Sequence, residues 1–445
     1  LLIEVHQQHI GERYGIKMTQ NQKIEIGRNN RKCVISSIKS LKETTAKSTF
    51  LIAVTSRANA SLKLLEFDAG TQNITQTETE EISASNAKSD AVIDLDCFVR
   101  TELTNELSSK NAIDASDGTR FDDALRESLF CCLTTEEGVF FGTMSAGDED
   151  ENFRKKCETT ATSKAEAVLS ARFSEHEKNV VSMCTKKSVM FYDYELKAVV
   201  NEWTFQSECS RASKGDWSKQ NENEFLFSRA GRVYLLDKRV NNSNSNNDDG
   251  NLSKSKVFEQ KSFFRDCSFC SAGEDGKTII TASEDWLVKT WDLRKASNNA
   301  TTTTTNVDKC QGLLKCFAGH ENVVTKARFN PVYDSIALSS SLDGTVKLWR
   351  DSDLSRLPDD DDYQQTTTNN SNNTNNNDKN VDLSGNDVEL KAYGNLQTTK
   401  IGSPVSPVID ACWSSNDPWV FAAVTIDGTF SIGVVPRSEK YRILL

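Results

Sequence analysis

Residues 341–350 read SLDGTVKLWR, a short segment in which a turn signal leads directly into alternating apolar and polar side chains. The pair Asp343-Gly344 is typical of a tight turn between two antiparallel strands. After that turn, Val346 and Leu348 share one face of an extended chain and their neighbours share the other, which is the period of a β-strand. The segment therefore predicts the second half of a β-hairpin.

The same pattern occurs 58 residues earlier, where residues 283–292 read SEDWLVKTWD. Asp285 stands six positions before Trp291, just as Asp343 stands six positions before Trp349. The repetition indicates that the Asp and the Trp belong to a structural unit that occurs more than once.

Further strand-length matches recur along the chain, and they end or turn at Asp68, Asp193, Asp237 and Asp427. When low-complexity tracts are set aside, the units repeat every 40–45 residues or so, which is the spacing of β-propeller blades. One four-stranded sheet cannot cover both of its faces, whereas sheets arranged in a ring cover one another. We therefore predict an all-β fold, a single seven-bladed β-propeller over residues 1–445, with blades near residues 45–68, 91–145, 166–200, 205–239, 257–294, 314–350 and 392–436.

Tracts rich in Asn, Thr, Ser and Asp interrupt this pattern. They contain too little apolar surface to offset the entropy of ordering, so they are predicted to be disordered loop insertions. A strand near residues 13–18 is predicted to join the last blade and close the ring. The predicted insertions cover residues 70–90, 241–256, 297–308 and 352–387.

Composition and motifs exclude several classes of function. The chain has 53 Lys and Arg against 64 Asp and Glu, a net charge of −11, and no basic cluster, so no nucleic-acid partner is predicted. Its longest apolar stretches are strand-length, far short of the roughly 20 residues that span a bilayer, so no direct membrane insertion is expected. The N-terminal sequence lacks the features of a secretory signal. No phosphate loop or hydrolase motif occurs, so neither an enzyme nor a cofactor is predicted.

The cysteine pattern does not predict a metal site. The twelve cysteines show no framework spacing and are expected to be reduced and mostly buried. The CSFC segment at 267–270 has the internal spacing of a zinc pair, but residues three apart on a strand point to opposite faces. The HQQH segment at 6–9 is a second weak candidate, and no metal is predicted there either.

The segment FAGHENVVTKARFNPVYDSIALSSSLDGTVKLW (317–349) resembles a WD repeat in its Gly-His opening, its alternating strand, its Asp and its Trp. The resemblance implies a hydrogen-bonded structural tetrad of His320, Asp343, Trp349 and a hydroxyl from the serines at 339–341. In the preceding unit, Asp285 and Trp291 take the corresponding places.

Most of the other units depart from that pattern. The chain has only four His, so most blades must lack the tetrad His. The position of the Trp is occupied by Tyr192, Leu236 and Gly433 in three other units.

A more specific resemblance covers about residues 257–445. The segment WSSNDPWVFAAVTIDGTFSIGVVPRSEKYRILL (413–445) is similar to the C-terminus of the family of EARP and GARP complex-interacting proteins, and FFRDCSF (263–269) occurs in the same order. The resemblance implies a non-enzymatic adaptor that binds subunits of the endosome-associated recycling and Golgi-associated retrograde tethering complexes. The propeller itself is expected to be monomeric. It would be cytoplasmic and peripheral to the trans-Golgi network and endosomes. We expect the terminal Ile-Leu-Leu to pack as a closing strand.

An alternative function comes from IITASEDWLVKTWDLR (279–294), which resembles the box that docks some WD-repeat proteins onto a cullin–RING ubiquitin ligase adaptor. Trp291, Asp292 and Arg294 would then bind a partner, and Arg294 would offer a bidentate contact at the rim. Thr290 departs from that box. In the simpler interpretation Trp291 packs between blades, and Asp292 and Arg294 lie in solvent at the end of a strand. A third possibility, an enzyme, requires convergent His or carboxylate groups at the central channel.

Overall fold

The chain is nearly all β in the part that the structure describes. Within these residues 29 strands form seven antiparallel sheets, accompanied by two short helices. The computed structural model describes residues 3–5, 22–25, 34–41, 47–55, 60–71, 73–82, 92–103, 125–135, 138–145, 158–160, 168–205, 207–209, 215–240, 256–271, 276–296, 312–350, 395–400 and 406–444.

Strands that follow one another in the chain pair with one another, so each of the first six sheets is a four-stranded meander. Two short strands, β1 (Ile3–Val5) and β2 (Gln22–Glu25), join the last sheet. Sheet 1 contains β3 (Val34–Leu41), β4 (Ser48–Thr55), β5 (Ala60–Asp68) and β6 (Asn73–Ile82). Sheet 2 contains β7 (Val92–Leu103), β8 (Leu125–Thr135), β9 (Gly138–Ser145) and β10 (Glu158–Thr160). Sheet 3 contains β11 (Val168–Phe173), β12 (Val180–Thr185), β13 (Ser188–Asp193) and β14 (Ala198–Thr204).

The C-terminal half continues the same order and ends in a sheet built from both ends of the chain. Sheet 4 contains β15 (Asp216–Trp217), β16 (Glu224–Arg229), β17 (Arg232–Asp237) and β18 (Lys256–Glu259). Sheet 5 contains β19 (Phe264–Phe269), β20 (Thr278–Ser283), β21 (Val288–Asp292) and β22 (Leu313–Phe317), with helix α1 (Leu293–Ala296) after β21. Sheet 6 contains β23 (Val324–Phe329), β24 (Ile336–Ser341), β25 (Thr345–Arg350) and β26 (Asn395–Lys400). Sheet 7 has the order β1-β2-β29-β28-β27, with β27 (Val408–Trp413), β28 (Val420–Thr425) and β29 (Thr429–Val434), and helix α2 (Arg437–Leu444) follows.

Apolar cores lie between consecutive sheets. The core between sheets 4 and 5, for example, joins Leu226 and Val233 of sheet 4 to Phe264, Ile279 and Trp291 of sheet 5. Similar cores join sheets 2 and 3, 3 and 4, 5 and 6, and 6 and 7, and one more joins sheet 7 to sheet 1. Sheets packed face to face in this serial order are consistent with a β-propeller.

Burial on both faces explains why the second strand of a sheet shows no alternation in its sequence. Every residue of β12, β24 and β28 is buried, so these strands carry apolar and small polar side chains on both faces. Along the outer strand β14, by contrast, only Asn201 and Trp203 are buried. Alternation in the sequence is therefore a weak guide to the second strand of a sheet.

Three predicted blades begin too early. The strand β18 falls in the segment predicted to open the fifth blade, but it pairs with β17 and completes sheet 4. In the same way β22 completes sheet 5 and β26 completes sheet 6. Each of these three predicted blades therefore begins with the outer strand of one sheet and continues into the next sheet.

The predicted insertions and chain ends also need correction. Within the tract 70–90, β6 forms and buries Ile74, since an outer strand needs an apolar side chain on one face only. The place beside β29 is occupied by β2 rather than by residues 13–18, which lie outside the described residues. The C-terminal tail is helix α2 rather than a strand, and its Ile443 packs partly against the core between sheets 6 and 7. The predicted insertion 241–256 is one residue too long, because Lys256 is the first residue of β18. Residues 241–255, 297–308 and 352–387 lie outside the described residues.

Candidate functional site

Four side chains of the WD-like segment form one hydrogen-bonded chain in sheet 6. The indole Nε1 of Trp349 donates to the Ser339 hydroxyl over 2.7 Å. That hydroxyl lies 2.7 Å from Nε2 of His320, and Nδ1 of His320 lies 2.8 Å from the Asp343 carboxylate. Ser339 is thus the hydroxyl that the sequence left open among three serines. The four groups connect the loop before β23, both central strands and the turn between them.

The direction of proton donation follows from the partners. The Asp343 carboxylate can only accept, so Nδ1–H of a neutral imidazole donates to it, and Nε2 then accepts a hydrogen bond from the Ser339 hydroxyl, which itself accepts from Trp349. Burial lowers the pKa of His320, although the Asp343 carboxylate works against that effect. Hydrogen bonds from His320 and Thr345 hold the pKa of Asp343 below its usual range despite partial burial. The His is therefore neutral at physiological pH.

Sheet 5 holds a partial version of this arrangement. Trp291 is buried and its Nε1 donates to the Thr281 hydroxyl over 2.9 Å. No His is present, and Asp285 pairs instead with Lys289 at 2.6 Å. The amine of Lys289 also donates to Gln260, which lies in the loop before β19. A Lys and a Gln thus make the link between turn and loop that His320 makes in sheet 6.

Polar contacts also join the first strands of neighbouring sheets. In most of these contacts a buried Asp side chain accepts a hydrogen bond from the adjacent sheet or forms an ion pair with it. Sheet 7 is joined to sheet 1 in the same way. In order, the contacts are Lys39 to Asp96 at 2.6 Å, Arg172 to Asp94 at 2.8 Å, Trp217 Nε1 to the Arg172 carbonyl at 3.3 Å, Ser268 to Asp216 at 2.7 Å, Arg328 to Asp266 at 2.5 Å, Lys326 to Asp410, and Ser37 to Asp410 at 3.1 Å.

These contacts bring several carboxylates to the inner strands, which is the feature required for an enzyme in a propeller. The carboxylates are already engaged, however. Burial works to raise the pKa of Asp96, but Lys39 and Arg172 outweigh it and the net pKa is lowered. Two Arg328 nitrogens and the Ala327 N–H all donate to Asp266. The arrangement is that of structural links between sheets.

The proposed ligase-docking residues are mostly inaccessible. The side chains of Trp291 and Asp292 are buried, which does not favour the predicted contact with a partner. Arg294 is 45% exposed in its side chain, but its guanidinium already spans both carboxylate oxygens of Asp292, at 3.0 and 3.1 Å. The bidentate contact predicted for a partner is made within the chain.

The cysteine candidates do not converge. Cys267 and Cys270 are both buried, but Cys267 faces the core between sheets 4 and 5 and Cys270 faces the core between sheets 5 and 6. Among the described residues no group of three metal-ligating side chains occurs, and the HQQH segment lies outside them. Burial raises the pKa of Cys184 and of Cys412 to about 12, so these thiols are poor nucleophiles at neutral pH.

One exposed residue that the sequence analysis did not single out is Trp286, in the turn between β20 and β21. Its φ is 70°, in the left-handed region, where the equivalent turns of sheets 6 and 7 use Gly344 and Gly428 with φ of 77° and 87°. A bulky side chain in this conformation costs roughly 1–2 kcal/mol. The alignment of SEDWLV with SLDGTV shows the signal, a Trp where a Gly is expected.

No helix in the described residues has the length and apolar character needed to cross a bilayer. The two helices are short, and α2 is charged.

Comparison with known proteins first defines the class. The family described as "WD domain, G-beta repeat" matches residues 311–350, which contain β22 to β25 and all four side chains of the hydrogen-bonded chain in sheet 6. The chain therefore carries a WD40 repeat, and the predicted resemblance to WD-repeat proteins is confirmed.

The particular relatives share part of this chain. The EARP and GARP complex-interacting protein 1 of Homo sapiens is 28% identical over 170 residues, which are 38% of this chain and 37% of that protein. The EARP-interacting protein 1 of Caenorhabditis elegans is 25% identical over 166 residues, which are 37% of this chain and 38% of that protein. The EARP-interacting protein homolog of Danio rerio is 58% identical over 33 residues, 7% of this chain and 8% of that protein. The chain is thus similar to these proteins over less than two fifths of their length.

Proposed function

We propose that this chain is a closed seven-bladed β-propeller that acts as a non-enzymatic adaptor for the EARP and GARP tethering complexes. The observation that carries the adaptor role is the similarity to proteins named for their interaction with these complexes. The cellular role would be in recycling and endosome-to-Golgi traffic. The protein would be cytoplasmic and act at the trans-Golgi network and endosomes without entering the bilayer.

The polar contacts between first strands support the closed propeller. They join each sheet to the next, and the contact between Asp410 and Ser37 joins the last sheet to the first. The strand β2 supports closure independently, because it pairs with β29 and ties the N-terminal part of the chain to the C-terminal sheet. When strands from both ends of the chain pair in one sheet, the ring of sheets closes there and no sheet face is left open.

A non-enzymatic role is supported by the state of the polar groups. The carboxylates of the inner strands are engaged by cations or hydrogen-bond donors of the neighbouring strands. The hydrogen-bonded chain of sheet 6 ends at Trp349, which is buried. Rigid sheets with variable turns are a common platform for protein recognition.

Affinity purification tests the proposal. The full chain, tagged and expressed in cells that contain both complexes, is expected to co-purify their subunits in near-constant ratio, and an unrelated WD40 propeller expressed at the same level serves as the control. Enrichment no greater than with that control would contradict the adaptor role. Light scattering on the purified chain is expected to give a monomer of 49.5 kDa.

A further inference from the structure

Two exposed aromatic side chains lie on adjoining segments at one edge of sheet 5. Trp286 in the β20–β21 turn is 49% exposed, and Phe263 in the loop before β19 is 36% exposed. The backbone N–H of Glu284 donates to the Phe263 carbonyl over 2.9 Å, so the turn and the loop are fixed side by side. An ion pair between Arg265 and Glu284, at 2.8 Å, joins them a second time.

The position of Trp286 is not explained by packing within the chain. Its backbone adopts the left-handed conformation that the equivalent turns reserve for Gly344 and Gly428. About half of its side chain nevertheless remains in water, so the strained backbone is not offset by full burial. Strain held at an exposed aromatic residue is typical of a recognition site.

Most of the exposed charges around this pair are cations, because the nearby carboxylates Glu284 and Asp285 are partly buried and already ion-paired. Lys261 is exposed, and Arg265 is more exposed than its partner Glu284, at 39% against 19% for the side chains. The neighbouring turn of sheet 4 presents Arg232, which is likewise more exposed than its partner Glu259. Exposed ion pairs contribute little to folding, so these cations can exchange to carboxylates of a partner. The bias is local, since the chain as a whole has a net charge of −11.

We propose that Trp286 and Phe263, with the cations Lys261 and Arg265, form a docking surface for a protein segment that carries a large apolar side chain flanked by acidic residues. The apolar side chain packs against the two aromatic rings, and the carboxylates pair with the cations. The assignment rests on the proposed adaptor function and adds to it the surface through which a subunit of the EARP complex is bound.

The test uses purified EARP complex and the full chain, with binding measured by interferometry. Trp286→Gly removes the indole and leaves a residue that favours the same backbone conformation, so folding is retained, as circular dichroism and the melting temperature verify. We expect its dissociation constant to rise at least about tenfold. Ile426→Gly is the matched control, because Ile426 is 48% exposed in the corresponding turn of sheet 7, and its binding is expected to be unchanged.

The acidic character of the partner is tested separately. Lys261→Glu is expected to weaken binding and to reduce its dependence on NaCl between about 0.05 and 0.5 M, over which screening suppresses surface charge interactions. If the wild-type chain and Trp286→Gly bind the complex with the same affinity, the docking surface is wrong and the adaptor function still stands. Wild-type chain that fails to bind at all overturns the adaptor function itself. A concentration-dependent dimer of the wild type, lost in Trp286→Gly, would instead assign the surface to a second copy and overturn the acidic partner.

Discussion

The ring of Phe421 lies against Gly433, its cross-strand neighbour in sheet 7, and fills the space that a side chain at position 433 would need. A Cβ added to Gly433 would meet three atoms of that ring, the farthest of them at 2.8 Å. In sheet 6 the equivalent pair is Ala337 opposite Trp349. The large and the small residue have exchanged strands between the two sheets, and the space between sheets is filled in both.

This exchange predicts a rescue experiment. Gly433→Trp alone is expected to destabilise the protein by about 1–3 kcal/mol or more, because an overfilled core forces its neighbours out of their positions. Adding Phe421→Ala, which recreates the pair of sheet 6, is expected to recover part of that loss. The free energy of unfolding, measured with denaturant, decides the outcome. A double variant no more stable than Gly433→Trp would mean that the two positions do not share a space.

Stability should fall with acidification through His320. Its pKa is lowered in the folded protein by burial, so below the ordinary value of 6.5 the unfolded chain takes up a proton that the folded chain does not. More protons bound to the unfolded state mean that stability rises with pH, and therefore that it is lost as the pH falls from 6.5 toward the folded pKa. Melting temperatures between about pH 7 and pH 5 measure the effect. His320→Gln should flatten that part of the profile, and an unchanged slope would show that other groups cause it.

Ser339 should matter more than its counterpart Thr281. Ser339→Ala leaves both Nε2 of His320 and Nε1 of Trp349 without their partner, whereas Thr281→Val leaves Nε1 of Trp291 and removes one long hydrogen bond, of 3.4 Å, to the Lys289 carbonyl. Each buried group left unsatisfied costs about 1–3 kcal/mol, so the serine variant is expected to lose more stability. Chemical denaturation of the two variants side by side gives the comparison. Equal losses would indicate that the bond to the His contributes nothing.

Asp410 should control the junction at which the chain ends meet. Its carboxylate accepts from Lys326 of sheet 6 and from the hydroxyl of Ser37 in sheet 1, and the N–H of Ile38 lies at 3.3 Å. Asp410→Ala leaves the buried Lys326 ammonium without its carboxylate, a loss of about 3–5 kcal/mol for such a pair. Hydrogen exchange is expected to rise first in β3, β23 and β27, the strands that carry Asp410 and its partners. Uniform protection across all sheets would contradict a local role.

The sequence revealed the fold through local hairpin signals and missed the contacts between residues far apart in the chain. The hairpin signal at Asp343-Gly344 and the alternation at Val346 and Leu348 were enough to predict blades of β-strands. The link of Asp410 to Ser37 spans 373 residues, and no local pattern contains it. Trp291 packs in the core between sheets 4 and 5, a place that suits a Trp recurring at the end of a strand in a repeated unit.

Trp286 gives the last prediction, which concerns folding alone. A non-glycine residue in the left-handed region costs roughly 1–2 kcal/mol, and the indole there is about half exposed, so Trp286→Gly is expected to keep or raise the stability of the chain. The added freedom of glycine in the unfolded chain reduces the gain to about 1 kcal/mol or less. The reciprocal change, Gly344→Trp in sheet 6, places the same strain in a turn that now has none and should destabilise by a similar amount. The melting temperatures of both variants are compared with that of the wild type. A clear loss of stability in Trp286→Gly would mean that the indole packs more favourably than its exposure indicates.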